Sequence, residues 1–298
     1  MSSVYTGQIV AVLTAFCWAI ASTSFEKAGK KIGSINLNLS RLFIALAFSC
    51  VYTLISRGLP LPTDATSKIW FWLLLSGFVG FVIGDLLLFE AFVKIGARIS
   101  MLIYASVPIF SAALAYIFLD ESMTGKQILG MVLTIIGIGM VLLDSDKEKN
   151  KVKFAHPILG ILFAFGGAIG QSIGYIIGKY GMGDYDAFAA TQIRMIAGIV
   201  GFAIFFTITK QWRSFAKSLK QKDAVIPTTM GAIFGPFVGV SLSLYAVQRI
   251  NPGVASTLMS ITPVLLIIYA IVFKGEKIKI QEIIGSLICI SGLAIIFI

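Results

Sequence analysis

Ten apolar runs constrain this 298-residue chain more than anything else in it. They occupy 7–24, 37–56, 70–92, 99–119, 128–143, 157–177, 188–209, 225–247, 254–273 and 283–298. About 20 apolar residues in helix cross the hydrocarbon core of a bilayer, so each run reads as a spanning helix. Continuous rather than alternating hydrophobicity excludes an outer-membrane barrel, whose strands alternate over about ten residues. With 57% hydrophobic residues, 13% charged and a mean hydropathy of +0.93, the chain has more apolar surface than a soluble fold of this length hides. The expected fold class is an all-α integral membrane protein of ten transmembrane helices.

The second half repeats the first. At an offset of 155 positions, without a gap, Gly80, Gly84, Pro108, Glu121, Gly130 and Gly137 fall on Gly235, Gly239, Pro263, Glu276, Gly285 and Gly292. Glycine and proline carry the argument because they fix where backbones approach closely and where a helix bends. The organisation expected is a five-helix repeat over 1–144, a charged connector over 145–156 and a second five-helix repeat over 157–298. An odd number of spans per repeat inverts the second half relative to the first. That is the plan of secondary transporters whose site lies near the midplane, between the repeats.

The net charge of +10 does not point to nucleic acid, because the basic residues sit in short connectors between spans. Connectors after odd-numbered spans carry seventeen Lys and Arg, against five on the other side. By the positive-inside rule this places both termini outside. Cys17, Cys50 and Cys289 all lie within spans and read as small packing residues, with no disulfide framework. No basic residue precedes the first run, which reads as a helix rather than a cleaved leader. No nucleotide, haem or metal signature is present, so neither a cofactor nor a metal is expected.

The polar residues inside the spans define a candidate interior. Span 1 carries Thr14, Trp18, Ser22 and Glu26 at four-residue spacing, and span 6 carries Gln171, Tyr175 and Lys179 in the same way. Span 3 holds Asp85 and Glu90, whose second-half counterparts are Val240 and Tyr245. A mid-span Asp is costly, by roughly 2.5 to 3.5 kcal/mol on insertion scales, and faces a bundle interior or a wet cavity. Asp85 and Glu90 are therefore proton-coupling candidates, and an arginine partner of purely architectural purpose is the other reading of Asp85. Arg41 and Arg194 recur about one turn inside spans 2 and 7. They either reach back to the headgroups or serve a gate or an anionic substrate group. Spans 4 and 9 each hold a proline, Pro108 and Pro263, beside Tyr104 and Ser260, and read as hinges. Spans 5 and 10 carry paired glycines and almost no polar groups, which suits scaffold or a homodimer surface.

Trp18, the Ser40-Arg41-Leu42-Phe43 opening of span 2, the 91–100 turn, the Pro108 helix and Asp120-Glu121 ahead of Gly130 and Gly137 together resemble the EamA-type repeat of the drug/metabolite transporter superfamily. Pro252, Pro263, Gly275-Glu276, Gly285 and Gly292 repeat the pattern. The resemblance covers the whole chain. It implies a two-repeat carrier in the inner or cell membrane that exports amino acids, metabolites or toxic small molecules, with a cavity lined from helices other than 5 and 10. It also implies cytoplasmic termini, against the charge count.

The expected activity is secondary active export or exchange of small polar metabolites such as amino acids, by alternating access. Trp18, Arg41, Asp85, Tyr104, Gln171, Tyr175, Arg194 and Tyr245 are the candidate substrate contacts. The expected partners are a small-molecule substrate and the lipid bilayer. A membrane-embedded enzyme or lipid-handling protein using Asp85 and Glu90 is the alternative. Five residues apart on a helix, those two point about 140° away from each other, which suits joint acid/base work poorly.

Overall fold

A computed structural model of the chain describes residues 3–119, 124–146, 151–250, 252–276 and 278–297. Asp120-Glu121 and residues 147–150 of the connector lie outside that set. The helices are α1 (Ser3–Ile32), α2 (Ser34–Arg57), α3 (Ser67–Tyr104), α4 (Val107–Leu119) and α5 (Gly125–Leu142) in the first half. The second half holds α6 (Ile158–Met182), α7 (Ala187–Ile208), the short α8 (Trp212–Ser218), α9 (Lys222–Arg249), α10 (Pro252–Met259), α11 (Thr262–Lys274) and α12 (Ile280–Phe297). The connector is not plain coil. Its described residues form two antiparallel strands, β1 (Leu143–Asp146) and β2 (Lys151–Phe154), with Leu143 opposite Phe154 and Asp146 opposite Lys151.

The ten runs do not become ten uninterrupted helices. Among the described residues eight segments are long and apolar enough to cross a membrane. The longest, α3, takes up 38 residues and joins the third run to the start of the fourth. Gly96 interrupts it with φ 79° and ψ 159°, a conformation that only glycine adopts without strain, so the helical axis breaks there. What remains of the fourth run, α4, has 13 residues, and the apolar part of α12, Ile280–Ile296, is also short.

The duplication persists in details that composition does not encode. A π-helical stretch interrupts α3 over Phe78–Gly84, and another interrupts α9 over Ile233–Gly239, 155 positions on. These stretches are where the halves meet. The Gly80 and Gly84 backbone lies directly on Gly174 and Gly170 of α6, where a Cβ on Gly174 would stand 3.1 Å from the Gly80 Cα. In the mirrored contact Gly235 of α9 receives α1, and a Cβ there would stand 2.9 Å from the Phe25 ring and 3.4 Å from the Ala21 Cβ. Thus α3 packs on α6 and α9 on α1, while α2 packs on α7 and α5 on α12. Small residues allow such approach, and in a bilayer, where burial alone does not drive helices together, close contact of this kind holds them.

The α5–α12 pair shows it most fully. A Cβ on Gly285 would sit 2.7 Å from the Gly137 carbonyl oxygen, and one on Gly292 would sit 2.6 Å from that of Gly130. The lower-numbered glycine of one helix meets the higher-numbered glycine of the other, so the two run antiparallel. Thr134 donates to the Cys289 carbonyl at 3.3 Å across the seam. The glycine faces of these helices are therefore used within the chain. Their outward faces carry Ile128, Leu129, Ile135, Ile284 and Leu287, all exposed.

Gly137→Val should lower the thermal unfolding midpoint of the detergent-purified protein by the equivalent of about 1–3 kcal/mol or more, because the backbones cannot separate without losing the seam. Gly139→Val is the control. A Cβ at Gly139 meets nothing within 4 Å, so its melting curve should overlay that of the wild type.

Candidate functional site

The two proline helices are broken in the same place. In the first half α3 ends at Tyr104, Ala105-Ser106 leave the helix, and α4 starts at Val107 with Pro108 in its first turn. In the second half α10 ends at Met259, Ser260-Ile261 intervene, and α11 starts at Thr262 with Pro263 next. The prolines thus stand just after a break rather than bending a continuous helix. Proline suits that position, because the first turn has no helical acceptor for the N–H it lacks. The hydrogen bonds match one for one: Ile109 and Phe110 N–H donate to the Ser106 carbonyl, and Val264 and Leu265 N–H donate to that of Ile261. Side chains take up carbonyls at the gaps. Ser106 Oγ donates to Ile103 O at 2.6 Å, and Thr262 Oγ1 donates to Met259 O at 2.8 Å.

A cavity of about 60 Å³ lies at these two breaks. Tyr104, Val107 and Pro108 line it from one half, and Met259, Thr262 and Pro263 from the other. Met101 and Ala105 of the first half, Trp18 of α1 and Tyr175 of α6 also line it. The walls are mainly apolar and aromatic, with the Ser260 and Thr262 side chains as polar contributions. Tyr175 Oη donates to Ser243 Oγ at 3.1 Å, which ties this wall to α9.

Behind the cavity lies a buried charged group. Arg41 Nη2 donates to Asp85 Oδ2 at 2.5 Å, with both side chains buried. Arg41 Nε donates to Asn38 Oδ1 at 3.0 Å, and Asn38 Nδ2 donates to the Asp85 carbonyl at 3.4 Å. The rings of Phe89, Phe81 and Phe25 surround the Arg41 guanidinium, Phe89 at 4.4 Å. Arg194 comes from α7 to the same Phe81 ring, 5.0 Å from its centre and 5.8 Å from that of Tyr175. It is fully buried, and none of its three guanidinium nitrogens has a hydrogen-bond partner.

At the end of the bundle where α1 finishes, Glu26 is a second buried carboxylate with three donors. The Ala97 N–H just past the Gly96 break donates at 3.0 Å, Lys30 at 2.6 Å and Lys274 at 3.5 Å. Arg98 pairs with Glu282 and, at 3.7 Å, with Glu276, so α1, the α3 break and the α11–α12 loop are cross-linked. The duplication has not kept this cluster: Lys179, at the 153-residue offset that relates Arg41 to Arg194, stands at the position of Glu26, and Gly253 stands at that of Arg98. At the opposite end Asp64 accepts from Tyr185 at 2.8 Å and from Arg57 at 2.6 Å. Although desolvation opposes it, those hydrogen bonds hold the Asp64 carboxyl below its ordinary range, while burial and Asp64 push the Tyr185 hydroxyl up to about 12.

Of the expected site residues, Trp18, Tyr104 and Tyr175 meet at the cavity with both prolines, while Arg41 and Asp85 pair and Arg194 stands apart. Gln171 is buried on α6 beside Gly80. Tyr245 turns to α9 itself, its ring centre 3.3 Å from the Arg249 guanidinium, and Glu90 accepts from Ser34 rather than joining Asp85. Sequence reasoning missed Asn38 as the brace of Arg41 and Glu26 as the acceptor of the turn. It also missed Met101, Val107 and Met259, although the 155-residue offset already aligned the two breaks.

Breaking the Arg41–Asp85 pair from one side leaves a buried charge uncompensated. Arg41→Met should cost about 3–5 kcal/mol, read as a large fall in unfolding midpoint, and Arg41→Met with Asp85→Leu should recover most of it. A double variant no more stable than the single one would show that Asp85 does not depend on Arg41.

Comparison with known proteins accords with this geometry. An uncharacterized transporter of Archaeoglobus fulgidus is 20% identical over 288 residues, 97% of each chain. A probable terminal-alkyne amino-acid exporter of Streptantibioticus cattleyicolor is 24% identical over 290 residues, 96% of this chain and 91% of that one. An uncharacterized transporter of Clostridium kluyveri is 25% identical over 196 residues, 66% of this chain, and the match spans 62% of that relative. A solved crystal structure covering 98% of this chain and 96% of its own shares the fold at a TM-score of 0.64 and 13% identity. The model of the EamA-like transporter family matches twice, over residues 5–143 and 158–298, the two halves that the glycines and the broken helices delimit. The chain is a multi-pass protein of the cell membrane and belongs to the EamA-like transporter family.

Proposed function

We propose that this protein is a secondary active transporter that exports or exchanges small polar metabolites such as amino acids. The observation that carries the reading is the pair of equivalently broken helices meeting at one aromatic cavity, with each half supplying corresponding residues. A break in a helix is tolerated at membrane depth only where protein or a wet cavity covers the backbone, and carriers place their substrates at such breaks. The antiparallel meeting of α5 and α12, which are equivalents, supports ten spans in two inverted repeats. Gly96 then separates spans 3 and 4. A relative named as a probable amino-acid exporter fits the substrate class.

Alternating access follows from the asymmetry of the ends. The Glu26, Lys274 and Arg98 cross-links hold one end together, and the Pro108 and Pro263 breaks act as hinges on which the halves rock. The other end is joined by the Arg57–Asp64–Tyr185 and Gln248 contacts. Asp85 is the coupling carboxylate in this reading, exchanging Arg41 for a proton as the cavity opens to water. Glu90, held by Ser34, is the second candidate. A dimer through α5 and α12 would use their outward apolar faces.

Proteoliposomes preloaded with a labelled amino-acid pool test this. Imposing a pH gradient should accelerate release of at least one labelled species through the wild type. Asp85→Asn keeps an oxygen for Arg41 but cannot ionise, so it should show exchange that no longer responds to the gradient, and Asp85→Glu should keep part of the response. Undiminished gradient dependence in Asp85→Asn would reduce Asp85 to an architectural partner of Arg41. Absence of flux from a broad metabolite pool would remove the transporter reading itself.

A further inference from the structure

From the unpartnered guanidinium of Arg194 beside the Tyr175 wall of the cavity, we infer that Arg194 is the receptor for a substrate carboxylate borne on a small apolar or aromatic body. This deepens the transporter reading and rests on it. Arg41 and Arg194 look equivalent in sequence, but the structure divides them. Arg41 is matched by Asp85 and Asn38, whereas Arg194 presents five N–H donors to no acceptor at zero exposure. The cluster of Arg41, Asp85 and Arg194 therefore carries one positive charge in excess. Among the described residues the other buried carboxylate, Glu26, is engaged with Lys30, Lys274 and the Ala97 N–H, and Glu90 is engaged with Ser34. A bare cation in an apolar interior is unfavourable unless something pairs with it. One negative charge completes the site, and a dianion would overshoot it.

The shape of the surroundings selects the anion. Phe81 and Tyr175 lie about the guanidinium at 5.0 and 5.8 Å. Gly80 gives the Nη2 side room: a Cβ there would stand 3.0 Å from Nη2 and 3.4 Å from the Gln171 amide oxygen. A planar fork of donors is bonded by a carboxylate in bidentate fashion, which neither an amide nor a spherical ion reproduces. Tyr175 belongs to both places, with its ring near Arg194 and its side chain on the cavity wall with Trp18 and Tyr104. Release of Tyr175 from Ser243 joins the cavity to Arg194. The carboxylate then lies on the arginine and the apolar remainder among Trp18, Tyr104, Met101 and Met259.

Benzoate, benzamide and benzylamine, added separately to the detergent-purified full chain, test the inference by thermal melting and by titration. Benzoate should raise the midpoint and bind about tenfold or more tightly than benzamide, the ratio set by one charge-assisted contact, while benzylamine should have no effect. Arg194→Met should abolish the benzoate shift yet melt, without benzoate, at or above the wild-type midpoint, because the residue it removes satisfies nothing. Gly80→Ala keeps the charge, crowds Nη2 and should weaken benzoate binding several-fold. Equal shifts with benzamide or benzylamine, no shift with benzoate, a benzoate shift that survives Arg194→Met, or an unliganded Arg194→Met that is destabilised or unfolded would each overturn the inference. Flux of amines or neutral solutes independent of Arg194 would sink it and leave the transporter reading. Arg194-dependent benzoate binding without solute flux would do the opposite.

Discussion

The constraint on which the rest depends is the close backbone approach between halves. In lipid, apolar helices gain little by touching one another, so their association needs contacts tighter than lipid tails can make. Gly80 and Gly84 on Gly174 and Gly170, and Gly130 and Gly137 on Gly292 and Gly285, supply them. Gly80 and Gly84, with their counterparts Gly235 and Gly239, lie in the π-helical stretches of α3 and α9, which sit where these helices cross α6 and α1. Everything polar is then positioned from these crossings. Asp85 immediately follows the first π stretch, Phe81 within it lies near both arginines, and Tyr175 immediately follows Gly174.

The second theme is how an irregular backbone survives at membrane depth. Each break frees carbonyls, and each finds a short hydroxyl side chain nearby, Ser106 in one half and Thr262 in the other. The breaks are thereby stable without being sealed by packing, which leaves the cavity between them. The charged cluster obeys a different rule. Arg41 and Asp85 satisfy each other inside a cage of phenylalanines, and such an isolated pair has more bearing on which arrangement forms than on net stability.

Much of the fold was legible because glycine and proline report backbone geometry directly. The 155-residue offset located the duplication and paired the glycines and prolines of its two copies, and the family match falls on the same two halves; that the glycines of α5 and α12 meet each other, and that the prolines follow breaks rather than bend a helix, came from the structure. The span count was less legible, since apolarity does not say where a helix stops: the drop at Lys94 and Arg98 separates the third and fourth runs, yet helix continues on both sides of it and only Gly96 turns the axis. The site was readable by residue type and not by pairing. Trp18, Tyr104 and Tyr175 stand out as polar-tipped aromatics on candidate interior faces, but whether Asp85 chooses Arg41 or Arg194 depends on the π stretch and on Asn38, which no spacing rule anticipates. Glu26 read as one member of a stripe because one of its acceptor roles, toward the Ala97 N–H, is to a backbone group 71 positions away.

The exchange of partners between halves bears on how the protein is made. Because α3 seats on α6 and α5 on α12, the first five-helix repeat leaves the ribosome with two glycine-lined faces that nothing in it can cover. Lipid must occupy those faces until α6 is synthesised, and the α5 face waits until α12, about 140 residues later. Completion of the bundle is therefore a late event that waits on α12, and a chain that stops short of α12 leaves an open, glycine-rich seam of the kind that membrane quality control can recognise.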